Sequence, residues 1–187
     1  MHEEARKLPR PGNLDAPVNK YLAAFRNADQ LLATQAPALR LPHTIRTNQR
    51  IMQLNPYLQF NGQCEAAFKF YESCLGGKIV FKMTNGESPA AKMTPPERHN
   101  QILHIRLMAG DKVLMGSDAP PEYYEKPQGF SVTLGVDTPA EAERIFNALA
   151  EEGTVRMPLE ETFWAQRFGM LSDQFGTPWM INCEKAA

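Results

Sequence analysis

Leu54 to Gly77 reads LNPYLQFNGQCEAAFKFYESCLGG, and its two halves obey different periods. In the first, Leu54, Pro56, Leu58 and Phe60 alternate with Asn55, Tyr57 and Gln59, the two-residue repeat of a strand that buries one face. In the second, Cys64, Ala67, Phe68, Tyr71 and Leu75 recur at helical spacing, with Asn61 as a candidate N-cap and Gly76-Gly77 as a left-handed stop. The pattern predicts a strand, a cap and an amphipathic helix in succession.

Working outward, KIVFKM (78–83) reads as a second strand, and Thr84 to Gln101 as a loop long enough to serve as a flap. Ile102 to Met108 alternates again, with Leu103, Ile105 and Leu107 on one face and His104, Arg106 and Met108 on the other. Ala109-Gly110-Asp111 turns the chain into a fourth strand, Lys112 to Ser117. After the Pro-rich connector Asp118–Gln128 the opening plan returns. Phe130, Val132, Leu134 and Val136 alternate with Ser131, Thr133 and Gly135; Thr138, Pro139 and Glu141 then form a capping box, and Ala142, Ile145, Phe146 and Leu149 a buried stripe. Leu58 and Leu134 are 76 residues apart, as are Gly77 and Gly153. A strand at Thr154–Met157, the segment ETFWAQRFGMLSD (161–173), a turn at Gln174-Phe175-Gly176 and the strand PWMINC (178–183) complete the repeat. Met115 and Met180 are only 65 apart, because the flap has no long counterpart in the second unit. The expected fold is α+β: two βαβββ modules, 54–118 and 129–183, forming an eight-stranded cup-shaped mixed sheet with helices on the outer face.

Residues 1–51 differ in character and read as an N-terminal extension to a domain spanning 52–187. They carry eight Lys or Arg against four Asp or Glu. Val18, Leu22, Phe25 and Leu32 share one helical face between Asp15-Ala16-Pro17 and Pro37, and PALRLPHTIRTNQR (37–50) reads as a linker. Over all 187 residues, 20 basic and 21 acidic side chains give a net charge of −1, so no global field favours nucleic acid or anionic lipid. No apolar run approaches the roughly 18 residues of a membrane span, and the Met-His-Glu-Glu start lacks the features of a signal peptide, which points to a cytoplasmic protein. Cys64, Cys74 and Cys183 form no CxxC pair and read as buried free thiols, with no histidine spaced to activate one.

Two modules side by side leave a trough between their sheets, lined by the residues opposite the helices. The first strand offers Asn55, Tyr57 and Gln59, the third His104 and Arg106, and the fifth Ser131 and Thr133. Met115, Ser117, Met180 and Asn182 are expected inward from the last strand of each unit, and Trp164, Gln166 and Phe168 from the seventh. His104 suits a metal or a general base, or equally a hydrogen-bonded wall. Arg106 suits an anionic ligand, or an ion pair with Glu65 or Glu160. Glu160 and Glu161 are adjacent on a strand, so at most one enters the trough. Trp164 and Tyr57 suit an aromatic lining and Trp179 the core, while Met115 and Met180 would make an adaptable apolar floor.

The segments NPYLQFNGQCEAAFKFY, LMAGDKVLMGSDAPP and ETFWAQRFGMLSDQFGTPWMIN, with the paired-unit layout, resemble the PhnB-like branch of the vicinal oxygen chelate superfamily, which includes glyoxalase I, bleomycin-resistance proteins, fosfomycin-resistance enzymes and extradiol dioxygenases. The resemblance implies a homodimer, sometimes with units exchanged between chains. Catalytic members of the superfamily hold a divalent metal with His and Glu from the first and last strands of each unit. Those positions fall here on Asn55, Met115, Ser131 and Met180, or, shifted by two, on Tyr57, Ser117, Thr133 and Asn182. None is a strong ligand for a hard or borderline cation. Some relatives carry a ubiquinone-pathway methyltransferase label, but this chain has no Gly-rich loop after a strand to hold a methyl donor. The expectation is therefore a homodimer with no metal and no cofactor, binding a small organic molecule through Tyr57, Gln59, His104, Arg106, Met115, Ser131, Thr133, Trp164, Phe168 and Met180. The alternatives are a metal-dependent lyase or isomerase using His104 with Glu160, and an assembly module whose contact is the N-terminal helix.

Overall fold

The computed structural model describes residues 52–185 apart from Ala90. The extension and its expected helix lie outside the described residues. In chain order come β1 (Tyr57–Phe60), α1 (Cys64–Leu75), β2 (Lys78–Thr84), β3 (Ile102–Ala109), β4 (Lys112–Asp118), β5 (Val132–Gly135), α2 (Pro139–Ala150), β6 (Thr154–Glu160), β7 (Ala165–Ser172) and β8 (Pro178–Glu184). The eight strands form two sheets of four, in the orders β1-β4-β3-β2 and β5-β8-β7-β6. β1 runs parallel to β4 and β5 parallel to β8, while the remaining neighbours are antiparallel. Each set is one βαβββ module, and among the described residues no strand pairing links one sheet to the other. No helix among the described residues is long and apolar enough to cross a membrane.

Several element ends differ from the sequence reading, each for a local reason. β1 begins at Tyr57 rather than Leu54, since Pro56 has no N–H to give; its carbonyl still accepts from the Met115 amide at 3.1 Å. β5 begins at Val132 rather than Phe130, after Gly129 turns the connector at φ 75°. Asn61 does not cap α1. Gly62 at φ 83° carries the chain further, and the helix starts at Cys64 with Gln63 offering no capping bond. Its N-terminus is satisfied instead by Asp118, whose Oδ1 accepts from the Cys64 amide at 2.9 Å and whose Oδ2 accepts from the Ile102 amide at 2.8 Å. A carboxylate here favours the helix dipole and ties α1, β3 and β4 together. α2 opens with Thr138 as the expected cap, its Oγ1 accepting from the Glu141 amide at 3.2 Å, but the Glu141 carboxylate accepts from Arg144 at 2.7 and 2.9 Å rather than closing the capping box.

The helix stops are not equivalent. Gly76 takes φ 66° after α1, but after α2 the left-handed residue is Glu152 at φ 55° rather than Gly153. The 76-residue match of Gly77 with Gly153 has another origin. A Cβ on Gly77 would lie 2.6 Å from the Met108 carbonyl, and one on Gly153 2.6 Å from the Ser172 carbonyl, so both let the chain graze a neighbouring strand.

The helices bury the faces their periodicity marked. Cys64, Ala67, Phe68, Tyr71 and Cys74 of α1, with Ala142, Ile145, Phe146 and Leu149 of α2, join Leu58, Phe60, Ile105, Leu107, Leu171, Trp179 and Ile181 in one core that spans both modules. Full burial of a side chain such as Phe68 contributes about 1.5–3 kcal/mol before ordering costs. The modules also meet through a buried polar cluster: Asp173 Oδ2 accepts from Tyr71 Oη at 2.7 Å and from Trp179 Nε1 at 2.8 Å. Its Oδ1 accepts from the Phe175 and Thr177 amides at 2.9 and 3.0 Å. Arg144 of α2 adds a bond to the Cys74 carbonyl of α1 at 3.0 Å. The two modules are thus locked together on the helix side. The three cysteines are buried and free, and burial raises the Cys64 thiol well above its ordinary range.

Candidate functional site

With the helices on one side, each sheet turns its alternate residues the other way. In the first module, cross-strand register sets Tyr57 beside Met115, Met115 beside Arg106 and Arg106 beside Phe81, a row running across all four strands. The adjoining residues are Gln59 beside Ser117, and His104 beside Met83. His104 is buried at 6% exposure, and its ring stacks on Tyr57 with centroids 5.7 Å apart and 18° between planes. Tyr57 Oη lies 3.2 Å from His104 Nδ1, and the Phe81 ring meets the imidazole at 5.8 Å. The Tyr57 phenol is pushed up to about 12, chiefly by burial, with a Ser117 hydrogen bond pulling the other way. His104 thus sits between the Tyr57 and Phe81 rings.

The second module repeats the arrangement with different chemistry. Thr133 lies beside Met180, Met180 beside Met170 and Met170 beside Met157. The next row runs Gly135, Asn182, Phe168 and Glu160. Asn182 Nδ2 donates to Glu184 Oε1 at 3.4 Å, which fixes the amide's orientation, and its Oδ1 is buried with no hydrogen-bond partner. Trp164 is not on the seventh strand but in the turn before it; its ring returns to meet Phe168 at 5.4 Å and Phe163 at 4.6 Å. Gln166 leaves the open face, because the register shift between Ala165 and Arg167 directs its amide to the Glu184 carbonyl at 2.9 Å. Arg167 pairs with Glu143 of α2 at 2.9 Å.

Two groups of predicted residues are thereby assembled. Tyr57, Gln59, His104, Arg106 and Met115 share the first face; Thr133, Phe168, Met180 and the Trp164 ring share the second. Ser131 precedes β5, as its repeat counterpart Asn55 precedes β1. The two groups lie on separate sheets. Of the two carboxylates considered for Arg106, Glu65 pairs with Lys69 and Lys82, both at 2.9 Å, which hold its carboxyl below the usual range, and Glu160 lies on the second sheet. Glu161 pairs with Lys185 at 2.7 Å. The expected flap closes on itself, with His99 Nε2 held between the carbonyls of Ala91 and Thr94 at 3.1 and 2.9 Å. Phe81, Met83, Met157 and Met170 were missed by sequence reasoning, and the cross-strand register is the signal that places them on the faces.

The donor chemistry bears on a metal. On β1, β4, β5 and β8 the open face presents Tyr57, Gln59, Met115, Ser117, Thr133, Met180 and Asn182, with Glu184 at the end of β8 as its one carboxylate and no imidazole. Thioether, phenol, amide and hydroxyl groups do not make an open site for a hard divalent cation. His104 and Glu160 lie on different sheets, and among the described residues no three His, Cys, Asp or Glu side chains cluster to hold an ion.

Comparison with known proteins agrees with this architecture. Residues 53–181 match the model of the Glyoxalase/Bleomycin resistance protein/Dioxygenase superfamily. Protein YjdN of Escherichia coli is 35% identical over 142 residues, covering 72% of this chain and 97% of its own. The crystal structure of protein PA1353 from Pseudomonas aeruginosa is 49% identical with a TM-score of 0.67, covering 73% of this chain and all of that one. A PhnB protein from Bacillus cereus shares the fold at 23% identity and a TM-score of 0.61, covering 71% of this chain and 99% of its own. The duplicated βαβββ plan and the extent of these matches show that this chain belongs to the Glyoxalase/Bleomycin resistance protein/Dioxygenase superfamily.

Proposed function

We propose that the chain binds a small organic molecule on its open sheet faces without a metal, as a sequestering or sensing protein of the PhnB-like type. The observation that carries this reading is the furnishing of the second face: Met180, Met170 and Met157 in one row, Phe168 and Trp164 beside them, and the Asn182 carbonyl oxygen buried without a donor. Thioethers adapt to flat apolar surfaces, and a lone buried acceptor favours a ligand that brings one hydrogen-bond donor. Tyr57, Gln59, His104, Arg106 and Met115 supply the first face; Ser131, Thr133 and Met180 the β5 side of the second.

A homodimer belongs to the same reading. β1 and β5 are edge strands in their sheets, and a second copy aligned along those edges would bring a first face against a second face. The free thiols accord with a reducing, cytoplasmic setting. The test is a thermal-shift screen of small aromatic, glycopeptide and phosphonate compounds, run with and without chelator. The expected result is a hit whose shift is unaffected by chelator and is abolished by Met180→Lys and by Trp164→Ala. A shift that appears only when Ni, Zn, Mn or Fe is supplied, and that His104→Ala removes, would replace this reading with the metal-dependent one.

A further inference from the structure

The repeat sets one row of the first face against one row of the second. In the first module the row opens with Gln59 beside Ser117, and in the second with Gly135 beside Asn182. Gln59 and Gly135 are 76 residues apart, the offset of the repeat, so the second face has a gap where the first carries a side chain. A glycine inside a strand weakens it, and usually marks a bulge or the close approach of another backbone or a ligand. The backbone reasons do not apply to Gly135. Its φ lies outside the left-handed range, and a Cβ built on it would meet no atom within 4 Å, so neither a neighbouring strand nor Asn182 fills the space. By contrast, a Cβ on Gly116 of β4 would lie 2.6 Å from the Phe68 ring, and one on Gly169 of β7 2.7 Å from the Phe146 ring. Those two glycines serve the core; Gly135 keeps open space beside Asn182.

We infer that Gly135 and Asn182 form a notch that selects the ligand: a flat ring carrying an N–H donor and no negative charge. The inference rests on the open-face reading and specifies what that face discriminates. Asn182 Oδ1 is buried without a hydrogen-bond partner, and its neighbour across the strands is the residue with no side chain. The amide is held at its Nδ2 by a long 3.4 Å bond to Glu184. The last side-chain torsion of asparagine is soft, so the amide turns to present Oδ1 over Gly135 to an incoming N–H. The ring of such a ligand then lies along Met180, Phe168 and Trp164. Charge sets the rest of the specificity. Glu160 ends the row of Asn182, and Glu184 stands beside it. Of the basic groups on these strands and beside them, Arg156 lies at the bulge next to Met157, one row away, while Arg167 and Lys185 pair with Glu143 and Glu161. A carboxylate in the notch would meet like charge and a lone acceptor, whereas an N–H meets the oxygen that lacks a donor.

The experiment is calorimetric titration of the full chain, with chelator present, against three probes of one shape: 2-naphthamide, methyl 2-naphthoate and 2-naphthoate. The amide is expected to bind about tenfold or more tighter than the ester, which has no donor, and than the anion. Asn182→Leu should level the amide with the ester, and Asn182→Asp, which keeps an acceptor, should retain the preference. Gly135→Val should weaken the amide about tenfold, and Gly135→Ala by less, while both keep the wild-type urea midpoint or raise it, because the added atoms enter open space. A glycine needed only for folding would give the reverse, a lowered midpoint with the amide's affinity intact, and would overturn the inference. Equal binding of amide and ester to the wild type, abolished by Met180→Lys, would also overturn it while leaving the open-face reading in place. Failure of the amide to bind would overturn it too; the open-face reading falls separately, if no compound of the thermal-shift screen responds to Met180→Lys.

Discussion

Asp173 accepts from Tyr71, from Trp179 and from two amides of its own turn, all of them within 3.0 Å. It is 4% exposed, so these donors replace the water a carboxylate would otherwise hold. Asp173→Asn removes the charge and turns one acceptor into a donor facing donors; about 3 kcal/mol of stability should be lost, read from urea unfolding. Tyr71→Phe deletes one bond of the cluster and should cost about 1–2 kcal/mol in the same assay. Tyr57 makes a different prediction. Partial burial pushes its phenol up from 10.0 to about 12 while the residue keeps 37% exposure, so the folded state holds that proton more tightly than the unfolded chain, by less than full burial would give. This stability is intact below pH 10 and is lost as pH rises towards 12. Tyr57→Phe should therefore show a shallower alkaline loss of stability than the wild type, measured by urea midpoints across that window. Equal slopes would mean that the hydroxyl is hydrated rather than sheltered against His104.

At the level of single elements, α1 and α2 present the same length and opposite capping devices. Thr138→Ala should destabilise by about 1 kcal/mol, the usual worth of an N-cap, and fray the first turn of α2 alone. Gly77→Ala should do more, since a methyl group 2.6 Å from the Met108 carbonyl forces the β2 entry away from β3; a loss of about 1–3 kcal/mol is expected in thermal or urea unfolding. The alternation of Leu58 and Phe60 with Tyr57 and Gln59, and the stripe from Ala142 to Leu149, were legible in the sequence because each depends only on neighbours a few residues apart. The cap of α1 was not: Asn61 has the right chemistry at the right place, yet the carboxylate that serves the helix sits 54 residues away on β4. The displacement of Trp164 and Gln166 was hidden for a related reason, since one extra residue at a bulge changes the face of everything beyond it.

Across the whole molecule, the repeat made both modules readable, but how they meet is a tertiary matter. The helix-side core and the Asp173 cluster join them, and the strands remain in two sheets of four. The candidate residues were accordingly found as two groups, and the additional methionines at 157 and 170 entered only through cross-strand register. What this surface offers a ligand is soft contact and few fixed charges, and that character can be read from its methyl groups. The decisive measurement is a methyl NMR titration of the full chain labelled with ¹³C at methionine, using a compound from the thermal-shift screen in the presence of chelator. Saturable shifts at Met157, Met170 and Met180, accompanied by Met115 and unaltered by chelator, are the expected result. Shifts at these methyls that require a stoichiometric divalent ion, or a bound compound that leaves all four unmoved, would contradict a metal-independent site on the open faces.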